Sequence, residues 1–482
     1  MKNILFFNGK AIYPWRWGLK AEALKILQED SENELFALDC NKCVDGYCWR
    51  DNRRNRFDCR KCIQMNRIVA QEAGVKYKNI LKLKRIKSPK FPNFKNIQEA
   101  LNFRYEGYEL GLGPVSTLMS NTRDYNFNIF WANRYLKKHI HAVYTVIKNL
   151  EELHEKYHFD EIHTFNGRLT IQYAAISFAK KHNLSYTIYD RGANINKIEI
   201  IKDEWLHDFY LKKRNIKSYW ENASDDKYEK AIQWFNDRRD RKYQSFASFC
   251  LKQEVGLLPS KYDKNKENIV FFNSSIDEIN AFESWKHPFA KNENEVIEKI
   301  LEHYKNDKTK HFYLRVHPNL GEAKIKKTSQ IREINKLAKK YKNLTVIEPD
   351  NKIDSYALIE FADKVLTSYS SIGCEANYYG KPVIIAGKSI YEDLDCAYKA
   401  NNYDELFELI ETKDLKPKPK ENSYPFGYYF QTFGRDCKYF ISTYSNKGYF
   451  LGKAFWYINR ATFKTFKKML KLELLIQKNL WF

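Results

Sequence analysis

An imidazole, two adjacent hydroxyls and a carboxylate are the groups in this 482-residue sequence best suited to gripping phosphate and moving protons. His317 stands before Pro318 at the end of an apolar run. Imidazole titrates near neutrality, so a histidine there can hydrogen-bond or protonate a phosphate, and the proline biases it towards extended backbone. The same dipeptide recurs as His287-Pro288 in a polar stretch with no strand before it, so the pair alone says little. Ser370-Ser371-Ile372-Gly373-Cys374-Glu375 sets two hydroxyls and backbone N–H groups at an expected helix start, where dipole and unpaired donors favour an anion. Gly373 would admit a ligand close to the backbone, and Glu375 can accept ribose hydroxyls. The segment also reads as an ordinary helix cap, with Glu375 complementing the dipole. Asp190, before Arg191-Gly192, is a candidate base for an acceptor hydroxyl and equally a turn aspartate.

A second constellation is early in the chain. Cys40-x2-Cys43 and Cys59-x2-Cys62 stand fifteen residues apart with Cys48 between them, among Arg50, Arg53, Arg54, Arg56 and Arg60. This spacing fits a tetrahedral structural zinc site in a small knuckle of loops. An iron–sulfur cluster, reduced thiols or a disulfide remain open. Four thiolates would close the coordination sphere, so metal catalysis is not expected there. Cys250, Cys374, Cys396 and Cys437 are isolated and read as packing residues.

The elements that must position these groups alternate. Strands are expected at 4–7, 160–165 and 186–189, with helices at 19–28, 135–157 and 169–182. Asn166-Gly167-Arg168 is a turn, and Asp190 lies just past a strand. After a Lys/Asn-rich linker near 259–268, strands are expected at 269–272, 312–316, 344–347, 365–367 and 382–386. Helices at 295–304, 331–341, 355–361, 370–379 and 403–411 separate them. Alternation of this kind builds parallel, doubly wound sheets, and ligands bind at the carboxyl ends of their strands. The expected fold is α/β, with two Rossmann-like domains facing across a cleft. A first domain covers 1–258 with a Cys-rich insertion at 40–62, and a second covers 268–430. A basic, aromatic helical tail covers 431–482.

Composition sets the outer limits. Hydrophobic residues are 43%, aromatic residues 16% and charged residues 29%, which excludes a disordered or low-complexity chain. The 82 basic against 60 acidic side chains leave a charge of +22, which favours anionic partners and reads equally as solvated background. No apolar run approaches the roughly 18 residues of a membrane span. The first residues read as a buried strand rather than a signal peptide. A cytoplasmic protein with reduced cysteines is expected. The tail mixes Trp456, Tyr457, Phe463 and Phe466 with Lys464, Lys467 and Lys468. It suits contact with the cytoplasmic face of the inner membrane as a peripheral helix, or packing on the body of the protein.

The stretch Tyr313-Leu314-Arg315-Val316-His317-Pro318-Asn319, then Ile353-Asp354-Ser355-Tyr356, then Thr367-Ser368-Tyr369-Ser370-Ser371-Ile372-Gly373-Cys374-Glu375-Ala376, then Gly380-Lys381-Pro382-Val383-Ile384 resembles bacterial capsule polysaccharide biosynthesis proteins. These are glycosyltransferases of the GT-B fold related to capsule Kdo transferases. The wider resemblance is to bacterial sialyl- and polysialyltransferases, which share an acidic residue shortly before a glycine, a His-Pro and a Ser-Ser. It implies that Asp190 is the base, that His317 binds or protonates the nucleotide phosphate, and that Ser370 and Ser371 cradle it. Arg315, Gly373 and Glu375 complete the expected nucleotide-binding set. Arg191 departs from the pattern, standing where those enzymes often carry an acid.

The expected function is therefore transfer of a sugar from a nucleotide-sugar donor, with a CMP-linked donor as one candidate, to a growing capsule or lipopolysaccharide acceptor. That acceptor is a polysaccharide or lipid-linked glycan. Phosphate charge would be met by N–H donors and a cationic imidazole. No Asp-x-Asp motif ends a strand, so no catalytic metal is implied; Asp393-x-Asp395 falls in a loop. Two alternatives predict different products or partners. One is a polyol-phosphate transferase of the teichoic-acid type, and the other a zinc-containing nucleic-acid-binding protein. No recognition helix or base-stacking motif supports nucleic acid as a partner.

Overall fold

The computed structural model describes residues 1–7, 14–44, 56–242, 250–260, 262–322, 328–442 and 448–454. In the first domain β1 (Lys2–Phe7), β2 (Asn33–Asp39) and β3 (Ile80–Lys82) are followed by a small hairpin of β4 (Arg104–Tyr105) and β5 (Tyr108–Glu109). Then come β6 (Glu161–Phe165), β7 (Ser185–Arg191) and β8 (Lys197–Lys202). Strands β3, β2, β1, β6 and β7 lie side by side in that order and run parallel, and β8 is antiparallel at the edge of β7. Successive side chains of a strand point to opposite faces, and β1 divides accordingly. Ile4 and Phe6 enter a core with Leu24 and Val69, while Leu5 and Phe7 enter another with Leu136, Ile147 and Phe178. Both faces are covered by helices, which is why β1 is apolar without interruption from Ile4 to Phe7.

The second domain repeats the plan. Strands β9 (Glu267–Phe272), β10 (Lys310–Arg315), β11 (Leu344–Ile347), β12 (Lys364–Thr367), β13 (Val383–Ile385) and β14 (Tyr398–Lys399) are all parallel, in the order β11-β10-β9-β12-β13-β14. This is the dinucleotide-fold order 3-2-1-4-5-6, which reverses direction between its first and fourth strands. Here that switch point lies between β9 and β12. Ile269 and Phe271 face one core, and Val270 and Phe272 the other.

Two features depart from the expected boundaries. Helices Phe209–Glu221 and Lys227–Arg239, assigned above to the first domain, bury Ile216, Trp234 and Phe235 in the same core as Val270 and Val365 of the second. The tail expected to be helical from 431 returns instead to the first domain as strands. β15 (Arg435–Asp436) pairs antiparallel with β8, and β16 (Phe440–Ser442), β17 (Gly448–Phe450) and β18 (Lys453–Ala454) form a three-stranded sheet. Gly434 adopts φ +81° at this crossing, a conformation that breaks a helix. Buried Glu22 then takes the backbone N–H groups of Lys438, Tyr439 and Phe440 at 2.7–2.8 Å. The basic aromatic part of the tail, 455–482, lies outside the described residues. Among the described residues no helix is long and apolar enough to cross a membrane.

Candidate active site

The carboxyl ends of β9, β10 and β12 open into a cavity of about 190 Å3 whose walls include Arg315, His317, Ser370, Ser371 and Glu375. Five residues named from sequence thus converge at the switch point. The sheet brings them together because β10 and β12 flank β9 on either side. Asn273, the first residue past β9, ties the loops by accepting the His317 N–H through Oδ1 at 2.8 Å. Thr367 Oγ1 donates to the Phe272 carbonyl at 3.1 Å and accepts the Ser370 N–H at 3.3 Å.

The same cavity contains donors that the motifs did not reveal. Arg238, Gln253, Asn273 and Arg315 line it, and Arg238 Nε, Gln253 Nε2, Asn273 Nδ2 and Arg315 Nε are buried with no hydrogen-bond partner among the described residues. Buried donors are nearly always satisfied, and leaving one unpaired costs about 1–3 kcal/mol. Four around one cavity mark a place for an electron-rich group. Arg315 is 3% exposed, and its other nitrogens donate to the Glu348 and Asn351 carbonyls at 2.6 and 3.3 Å, which holds its charge in place. Arg238 and Gln253 come from outside the expected second domain, and only tertiary packing places them here.

His317 differs from the cationic group expected. Burial is the largest influence and pushes its pKa down to about 4; Glu278 acts in the opposite direction, and Arg123, Arg315 and Arg238 add to the depression. Its Nδ1 accepts the Asn319 N–H at 3.2 Å, so the neutral ring carries its proton on Nε2. At neutral pH it is a hydrogen-bond donor, not a positive charge.

Glu375 is fully buried and takes the Tyr356 hydroxyl at 2.6 Å and the Arg238 guanidinium at 3.3 Å. Its carboxylate holds protein groups, and a ribose would have to compete with them. Gly373 is not in the wall. A Cβ there would come within 2.2 Å of the Tyr391 hydroxyl, which in turn donates to the Ser370 carbonyl at 2.9 Å. The glycine therefore makes room for a tyrosine that fixes the serine turn, rather than for a ligand. Helix Ile372–Tyr378 spans only seven residues, so its dipole adds little and the side-chain donors dominate.

Asp190 lies at the end of β7 outside this cavity, although Ala193, three residues on, is in its wall. Asn166 Nδ2 and the Arg191 N–H each donate to its carboxylate at 2.7 Å. From the neighbouring turn Arg168 donates to the Glu278 carbonyl of the second domain at 3.2 Å. A larger groove, about 770 Å3, lies between Tyr173 and Trp205 of the first domain and Phe282 and Lys388 of the second.

Cys40 and Cys43 follow β2, and Cys59 and Cys62 lie on helix Arg56–Glu72 rather than in a loop knuckle. Buried Met65, Val69 and Ala70 give that segment helical periodicity. Burial pushes the Cys40 thiol up to about 12, and Cys43 Sγ donates to the Leu83 carbonyl at 3.0 Å. Among the described residues no group of three or more His, Cys, Asp or Glu is placed to hold a metal ion. Cys48 lies outside them.

Two Rossmann-like domains, each with a parallel sheet of alternating strands and helices, define the GT-B arrangement. No family model matches the chain, and no curated protein sequence matches it. Among solved structures, the chain is similar to the Thermosulfurimonas dismutans KpsC beta Kdo 2,4 transferase, at 12% identity over 56% of this chain and 79% of that one, with a TM-score of 0.36. The KpsC beta Kdo 2,7 transferase of the same organism is 15% identical over 58% and 80%, with a TM-score of 0.35. The S. aureus MnaA–UDP co-structure is 12% identical over 89% and 94%, with a TM-score of 0.30. The fold assignment stands on the strand order, independently of these likenesses.

Proposed function

We propose that the protein is a glycosyltransferase that takes a sugar from a nucleotide-linked donor and passes it to a surface-polysaccharide or lipid-linked glycan acceptor. The observation that carries this reading is the set of unsatisfied donors of Arg238, Gln253, Asn273 and Arg315 around the cavity walled by His317, Ser370 and Ser371. The donor's phosphate sits there. As the bond from the anomeric carbon to the phosphate oxygen breaks, its electron pair stays on the phosphate. The fixed guanidinium of Arg315, the serine hydroxyls and the His317 Nε2–H meet the growing charge. The acceptor oxygen bonds to the anomeric carbon, and its proton passes to Asp190, which Asn166 orients. The larger groove between Tyr173, Trp205 and Phe282 supplies aromatic walls of the kind that hold sugar rings, and it is our candidate path for the acceptor.

Binding and product analysis test this. CMP, UDP and GDP are compared by thermal shift on the full chain, since a ligand that binds only the folded state raises its melting temperature. One nucleotide should stabilise the protein, and His317→Ala should abolish transfer from the corresponding sugar nucleotide while the variant stays folded. A phosphodiester product would point instead to polyol-phosphate transfer. Failure of every nucleotide, or undiminished transfer by His317→Ala, would sink the reading.

A further inference from the structure

One buried acid belongs to neither the expected motifs nor the cavity wall. Glu293 opens helix Glu293–His303 and is 3% exposed. Its Oε2 accepts the Ser274 N–H at 2.9 Å, and the Ser368 N–H acts on the same carboxylate to favour its charged form. Ser274 lies two residues past β9, and Ser368 is the first residue past β12. These strands are neighbours, with Phe272 opposite Thr367. One side chain therefore bonds the β9 lip of the switch point and stands close enough to the β12 lip to feel its N–H.

We propose that Glu293 is a positioning residue for the anion cradle: by joining the loop leaving β9 to the loop leaving β12, it sets the spacing between Asn273–His317 and Ser370–Ser371. The inference rests on the reading of that cavity as a phosphate site. Asn273, between Phe272 and Ser274, holds the His317 N–H, so a shift of Ser274 moves the imidazole. Ser368 precedes the serine pair by two residues and is anchored on its other side, its Oγ donating to the Ala386 carbonyl at 3.3 Å. The Ser274 carbonyl accepts Gln330 Nε2 at 2.8 Å, so the β9 loop is gripped from both directions.

The setting is costly for a side chain that merely fills space. No cation pairs with Glu293 among the described residues, and burial, only partly offset by the two N–H groups, pushes its pKa up to about 8. The groups around it are few. The Tyr369 phenol stands on the β12 loop, and its own proton is held more tightly in part because of Glu293. His287 binds the Ala386 carbonyl beside Ser368 and is kept neutral by burial. On the β9 loop Asp277 is paired with Arg123, and Glu295 lies on Glu293's own helix. None of these supplies a compensating charge. An anion entering the cradle raises the carboxyl's hold on its proton further, so binding takes up a proton. Affinity then falls as pH rises through about 8.

The test compares the full-length protein with Glu293→Gln, an isosteric change whose amide nitrogen opposes one of the two N–H groups. CMP and inorganic phosphate are titrated calorimetrically from about pH 6.5 to about pH 9.5, a window that brackets the titration. Amide hydrogen exchange at Ser274 and Ser368 is measured in parallel. Above about pH 8, where the probes are fully ionised, the wild type should lose affinity as pH rises, whereas the variant should bind about tenfold more weakly at about pH 7.5 and show no further loss above about pH 8. Exchange should accelerate at both serines. A variant that matches wild type in affinity and pH profile, or unchanged exchange at both amides, overturns the clasp and leaves the phosphate site standing. If neither probe binds the wild type, the phosphate reading falls and takes the proposal with it.

Discussion

At the scale of single residues, environment decides charge. His317 is neutral because burial disfavours the imidazolium. Its folded pKa, about 4, lies below the ordinary value of 6.5, so its contribution to stability is intact above the unfolded value and is lost as pH falls through that window. Chemical denaturation at stepped pH should show this loss, and His317→Asn should flatten it between about 6.5 and about 4. Asp190 is argued on different grounds, because its carboxylate is oriented by Asn166 and by its neighbour's N–H. Asp190→Asn should lower turnover by at least about 10²-fold, the usual worth of a general base, while donor affinity stays close to wild type. Single-turnover rates beside nucleotide titrations check it, and an unchanged rate would remove Asp190 from the chemistry.

At the scale of elements, the returning chain stabilises what it rejoins. Phe440 of β16 is 1% exposed and packs onto helix Pro14–Gln28 at Gly18, where a Cβ would come within 2.0 Å of its ring. Only a glycine leaves room for it. Phe440→Ala should cost about 3–5 kcal/mol, the range for truncating a buried aromatic residue, read from the denaturant midpoint. Strand identity was legible wherever apolar runs were short and bounded: β9, β10, β11, β12 and β13 fall within a few residues of the expected positions. The returning strands were not legible. Their aromatic and basic composition matches a surface helix as well as a strand, and the pairing that decides between them is made with β8 and Glu22, far away in sequence.

At the scale of the whole molecule, the two domains meet through a hub of charge. Arg123 of the first domain donates to Glu278 Oε1 at 2.8 Å and pairs with Asp277 at 3.2 Å, while Asn319, beside the His317 loop, donates to the same Glu278 oxygen at 3.0 Å. Tyr125 of the first domain also donates to Glu333 of the second at 2.7 Å. Breaking a partly buried pair leaves an uncompensated acid. Arg123→Ala should therefore reduce transfer about tenfold or more while nucleotide affinity changes less than about threefold, because the cradle itself lies in the second domain. Steady-state kinetics with parallel binding titrations make the comparison; equal losses in both would show that the hub supports folding rather than alignment.

The sequence alone determined the alternation of strands and helices and the identity of His317, Ser370, Ser371 and Arg315, because period and motif are local properties. The tertiary structure alone decided that Arg238 and Gln253 enter the same cavity, that Gly373 serves Tyr391, and that Glu293 joins two loops. It also decided that the imidazole is uncharged. Each of these depends on desolvation or on contacts between distant segments, and neither is written in the spacing of residues along the chain.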